Sequence, residues 1–180
     1  MTQLDRLLKI MNPGHTENIR NEVIKAYNEI YPRLQDLLDL KCYHIKSTEA
    51  VYVGITLGNR IDALLDKLWN GDDPFLAMLC DQLLVIILFE ASENYYLKLK
   101  EDAISHGHGL SRRFTPGDEL SLEDNSLITN KLKSPITTND YHVLIPQRSL
   151  VYKYLIQEHF DACEDINCNQ CDNQTCHMRK

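Results

Sequence analysis

Apolar residues recur first at helical spacing, then in short β-branched runs, then at helical spacing again. These switches divide the chain into elements. Residues 3–11 read as a short amphipathic helix closed by the breaker Asn12-Pro13-Gly14. A second helix is predicted from Glu17 to Leu40, with Ile19, Val23, Ile24, Tyr27, Ile30 and Leu34 at helical spacing. Pro32 should bend or split it, because proline removes a helix donor and crowds the preceding turn. Cys42 to Ile45 and Val51 to Ile55 are short, aromatic and β-branched, and predict two strands.

Gly58-Asn59-Arg60 leads into a third helix carrying Ile61, Leu64, Leu65 and Leu68, which ends near Trp69-Asn70-Gly71. Asp72 or Asp73 caps a fourth helix with Pro74 in its first turn, where a missing N–H costs nothing. This helix is predicted to reach Ala103. Its first half is apolar nearly all round, as in a central buried element, whereas Glu93, Lys98, Lys100 and Glu101 mark a solvated second half. A loop follows from Ser105 to Gly109, residues 119–132 read as helical, and Tyr141 to Ile145 and Ser149 to Ile156 predict two strands around Pro146. Helices and strands mix without a regular βαβ alternation, so the expected class is α+β with an antiparallel sheet. One domain over 1–158 and a cysteine-rich tail over 159–180 account for the chain, with no internal repeat.

Composition changes this picture in two ways. A net charge of −7 over 180 residues argues against sequence-independent nucleic-acid binding, although Arg112 and Arg113 stand together. The first residues lack the basic start and apolar stretch of a signal peptide, and the longest apolar run, Leu83 to Phe89, is too short to span a bilayer. A cytoplasmic protein with reduced thiols is therefore expected.

That expectation bears on the tail, where Cys163, Cys168, Cys171 and Cys176 form a C-x4-C-x2-C-x4-C pattern among Asp, Glu, Asn and Gln. Packing does not explain cysteines in so polar a segment, whereas thiolates at this spacing can converge on one soft metal centre. An Fe–S cluster, zinc, disulfides and redox-active or idle thiols remain open. Cys42 and Cys80 have apolar neighbours and read as ordinary buried cysteines.

The most specific internal feature is Arg113-Phe114-Thr115-Pro116-Gly117: a fork of guanidinium donors beside a turn whose glycine admits close backbone approach. A plain turn with a surface arginine is the competing account. His106 and His108 offer a metal pair or simply a polar loop. The Val53 to Gly58 strand-to-helix turn has phosphate-binding shape but lacks both glycine signatures, so a close-packed strand–helix turn is the preferred reading. Glu90 and Glu93 share a helix face and read as solvated carboxylates. No motif frames a nucleophile with a base, and no catalytic residue is assigned.

The order of segments adds a resemblance. Val51 to Gly58, Ile61 to Asp66, Gly71-Asp72, Phe89-Glu90-Ala91, Leu110 to Gly117, Ile136 to Thr138 and Leu144 to Ser149 follow one another before the cysteine tail. Over nearly the whole chain from about Leu4 this resembles the activation (reactivation) domain of cobalamin-dependent methionine synthase, in its short stand-alone form. The resemblance implies an α+β fold, a helical shell around a twisted antiparallel sheet. It implies S-adenosylmethionine presented to the cobalt of cobalamin held on a partner. There an electron from a flavodoxin- or ferredoxin-type donor and the ligand's methyl group restore methylcobalamin.

Arg113 and Gly117 match the first two fixed positions of the family's Arg-x-x-x-Gly-Tyr signature, and Asp118 stands where the family has tyrosine. Arg113 would then grip the ligand carboxylate, and Thr115 would fall where a backbone group contacts it. The implied role is that of an accessory protein reactivating a corrinoid methyltransferase rather than a complete enzyme, with the tail carrying an Fe–S centre as a low-potential relay. A zinc-tail interaction module docking on a corrinoid or other partner is the alternative from another class. A transferase using S-adenosylmethionine on some other acceptor is the third.

Overall fold

A computed structural model describes residues 1–12 and 14–158. The four tail cysteines, Cys163, Cys168, Cys171 and Cys176, and Pro13 of the first breaker lie outside the described residues. Five helices and six strands follow in order: α1 (Gln3–Met11), α2 (Glu17–Leu37), β1 (Lys41–Lys46), β2 (Ala50–Thr56), α3 (Asn59–Trp69), α4 (Pro74–Ser105), β3 (Gly109–Leu110), α5 (Asp124–Lys131), β4 (Thr137–Thr138), β5 (Leu144–Ile145) and β6 (Ser149–Gln157). The class is α+β, as expected, with an antiparallel sheet of order β1-β2-β6-β3.

Alternation along the central strands explains the layering. Val51, Val53 and Ile55 of β2 and Tyr152 and Tyr154 of β6 face one side, where they join α1–α4 in the main core. Val151 faces the other side, into a smaller cluster with Ile128, Leu132 and Ile136 beneath α5. The β2 strand is therefore covered on both faces, and Gly54 shows how closely α5 lies on it. A Cβ there would meet Leu132 Cδ1 at 2.8 Å and Ile136 Cδ1 at 3.1 Å. The outer edge strand β1 carries Lys41 and Lys46 at its ends, both exposed, which discourages pairing with another chain.

The α4 helix is the central element, with Leu79, Cys80, Leu83, Leu84 and Ile86 fully covered. By length and apolar content this helix qualifies as a membrane span, but here α1, α2, α3, β2 and β3 pack around it. Asp73 caps it through a 2.9 Å bond from Leu76 N–H, and Pro74 follows in the first turn, as the sequence predicts.

Several boundaries differ from the sequence reading. The α2 helix ends at Leu37, not Leu40, and runs unbroken through Pro32. Its buried face is Val23, Ala26, Ile30 and Leu34, while Ile19 points outward. The predicted strand over Tyr141 to Ile145 shrinks to Leu144–Ile145, paired with Thr137–Thr138 in a separate two-stranded sheet. Asn139 explains the difference: its side chain accepts from Tyr141 N–H and Val143 N–H, curling the backbone into a turn. Helix 119–132 shortens to Asp124–Lys131, because residues before it close a loop around Glu119.

Candidate functional site

The segment after β3 runs antiparallel to β6. Leu110 pairs with Ile156, Ser111 N–H donates to the Leu155 carbonyl at 2.9 Å, and Phe114 forms the next bridge, to Lys153. Two residues, Arg112 and Arg113, thus oppose the single residue Tyr154. This is a β-bulge, which re-aims side chains and commonly sits beside functional sites. The two adjacent arginines are sent to different surroundings.

Arg112 is exposed and donates to Glu119 Oε1 at 2.8 Å, with its guanidinium 5.2 Å from the Phe114 ring centre. Arg113 is half-buried. Its guanidinium carbon lies 5.6 Å from the Phe89 ring centre and 5.4 Å from that of Tyr152, so it is in contact with two aromatic faces. Its Nη1 donates to Ser92 Oγ at 3.4 Å, and Ser92 shares a 2.9 Å hydrogen bond with the Tyr152 hydroxyl. Among the described residues no carboxylate pairs with Arg113, whereas Arg112 and Arg148 each have one and Arg6 has two.

The loop beyond is closed upon itself. Thr115 N–H donates to Glu119 Oε2 at 3.2 Å, and the Thr115 carbonyl accepts from Asp118 and Leu120 N–H groups, each at 3.2 Å. A ligand reaching the Thr115 amide would replace Glu119. Gly117 has φ +85°, a left-handed conformation that favours glycine, and its N–H is bonded to the Leu120 carbonyl at 2.9 Å. Asp118 is exposed, and the carboxylate that neutralises a neighbouring arginine is that of Glu119, on Arg112. Arg113, Thr115 and Gly117 therefore share one loop, but only Arg113 offers an uncommitted charge.

Sequence reasoning missed the residues that surround it. Phe89 and Ser92 stand three apart on α4 and so share a face, and Tyr152 comes from β6. A partial signal existed: Tyr152 and Tyr154 alternate along β6 and so share one face. Burial holds both phenols protonated, with their pKa values raised above the usual tyrosine range.

The remaining candidates resolve into structure. Gly58 N–H bonds to Thr56 Oγ1 at 3.1 Å and Leu57 N–H to the Arg148 carbonyl at 3.0 Å, so the donors of that turn are used. Glu90 and Glu93 are not simply solvated: they meet Arg6 at 3.6 and 3.9 Å, and Gln3 also donates to Glu90, tying α1 to α4. His106 caps α4, with Nδ1 2.8 Å from the Asp102 carbonyl, and His108 lines a cavity of about 20 Å³ with His44. Among the described residues no group of three or more His, Cys, Asp or Glu is arranged to hold a metal. Cys80 is fully buried and its thiol is pushed up to about 12, while Cys42 is half-buried, so neither is a thiolate near neutral pH. Compared with protein-family models and with curated proteins, the chain matches none.

Proposed function

We propose that this protein is an accessory factor that reactivates a cobalamin-dependent methionine synthase or related corrinoid methyltransferase, resembling the stand-alone activation domain of that enzyme. The supporting observation is Arg113: a half-buried guanidinium lying over two aromatic rings, with no carboxylate partner among the described residues. A fixed, uncancelled guanidinium is suited to a planar carboxylate, which it meets with two parallel hydrogen bonds. In this reading the carboxylate belongs to S-adenosylmethionine, with Arg113 as its anchor and Thr115 and Gly117 lining its approach. The α+β fold with an antiparallel sheet is the class that the resemblance implies.

Cys163, Cys168, Cys171 and Cys176 supply an all-thiolate donor set, which fits an Fe–S cluster as well as zinc. A bound cluster would supply low-potential electron transfer to a corrinoid on the partner, fed by a flavodoxin- or ferredoxin-type donor. The same donor set supports a second reading, in which zinc makes the tail a non-catalytic docking module.

Oxygen-free purification with iron and zinc analysis and a visible spectrum tests the tail. Iron with a band that bleaches on reduction supports the relay; one zinc and no colour supports docking. Replacing Cys168 and Cys171 together should abolish metal retention, and full metal content in that variant would refute the tail assignment. Calorimetry with S-adenosylmethionine tests the anchor: Arg113→Ala should weaken binding by tenfold or more. Unchanged affinity discards the assigned role.

A further inference from the structure

We infer that Ser92 and Tyr152 are positioning residues for Arg113, holding its guanidinium in a fixed orientation without neutralising it. Ser92 is 1% exposed and Tyr152 is fully buried, so neither hydroxyl has water to satisfy it. They satisfy each other at 2.9 Å, and Ser92 Oγ also accepts from Arg113 Nη1 at 3.4 Å. A buried hydroxyl without a partner is costly, so the pair locks the serine rotamer and, through it, one edge of the guanidinium.

The rings of Phe89 and Tyr152 act on the other coordinate. Their faces attract the cation and restrict the guanidinium plane, yet offer no negative charge. A carboxylate at either hydroxyl position would hold the arginine more tightly and cancel the charge that an anion must find. Neutral dipoles and ring faces orient it and leave the charge available. The bulge at Arg112 and Arg113 completes the device by separating this arginine from the one that Glu119 neutralises.

Two measurements on the full chain test this, and the second rests on the proposed function. Without ligand, nitrogen-15 spectra of the arginine side chains should show slow rotation of the Arg113 Nη groups. Ser92→Ala and Tyr152→Phe should average those signals, and Ser92→Thr, which keeps a hydroxyl, should restore them. Wild-type signals in the alanine and phenylalanine variants overturn the inference.

With S-adenosylmethionine, both hydroxyl-free variants should lose about 3- to 30-fold in affinity by calorimetry. Their affinity for the decarboxylated analogue should stay as in wild type. Equal losses for the two ligands indicate general damage and overturn the inference. If Arg113→Ala costs affinity and Ser92→Ala and Tyr152→Phe do not, the inference falls while the reading of Arg113 stands. If Arg113→Ala changes nothing, the functional reading falls, and the spectra alone decide whether the hydroxyls hold the guanidinium.

Discussion

The β6 strand carries two polar junctions with opposite electrostatics. At its start the arginine has a carboxylate partner. Arg148 is paired with Asp81 of α4, Gln147 N–H donates to Asp62 of α3 at 2.8 Å, and Ser149 Oγ donates to Thr56 Oγ1 of β2 at 2.9 Å. Three residues later, Tyr152 meets Ser92, and the cation they touch, Arg113, has no counter-ion among the described residues. Both junctions join the same strand to the same long helix. The first resembles a structural rivet, and the second is the junction on which the proposed function rests.

The largest effect should come from alkali, which attacks the floor of the second junction. Burial raises the Tyr152 and Tyr154 pKa values above that of an unfolded tyrosine, near 10. The folded state therefore keeps protons that the unfolded state releases. Their contribution is complete below about pH 10 and is lost as pH rises beyond it, so the urea midpoint should drop steeply there. A midpoint that is flat through this range would show that the phenols ionise in place.

Next in size is the turn beside the first junction. Gly58 has φ +85°, and a Cβ would meet Asp39 Cβ at 2.8 Å, so Gly58→Ala should cost about 3 kcal/mol in chemical denaturation. Asp81→Ala should cost about 2 kcal/mol, because it strands a mostly buried Arg148. The smallest effect sharpens the comparison most. Arg113→Met removes a half-buried cation that no carboxylate among the described residues offsets, so stability should stay within about 0.5 kcal/mol of wild type. The corresponding Arg148→Met should be clearly destabilising, since it leaves Asp81 unpaired. Equal losses in the two variants would erase the distinction between the junctions.

Much of the frame was legible in order and period. The Asp73 cap, Pro74, the apolar first half of α4 and the β2 run each announce an element whose signal is local. The misreadings occurred where a side chain answers the backbone from a few residues away. Asn139 accepts two amide protons and ends a strand that β-branching alone would extend. Glu119 accepts from Thr115 N–H and from Arg112, turning a predicted helical start into a loop. Glu90 and Glu93 read as solvated because their cation, Arg6, stands more than eighty residues earlier, on α1.

The candidate site divides in the same way. Arg113 and Gly117 were singled out from the turn chemistry of a five-residue motif and Thr115 from the resemblance, because arginine, proline and glycine carry their meaning locally. The partners of Arg113 were not, since Phe89, Ser92 and Tyr152 come together only when α4 crosses β6.

By itself, the sequence determined the α+β class, the central helix and the arginine-bearing turn, all properties of neighbouring residues or of a repeating period. Only the tertiary structure decided which of two adjacent arginines is neutralised. One extra residue opposite Tyr154 sends Arg112 to Glu119 and Arg113 to the rings, and that count depends on strand register, which no local pattern records.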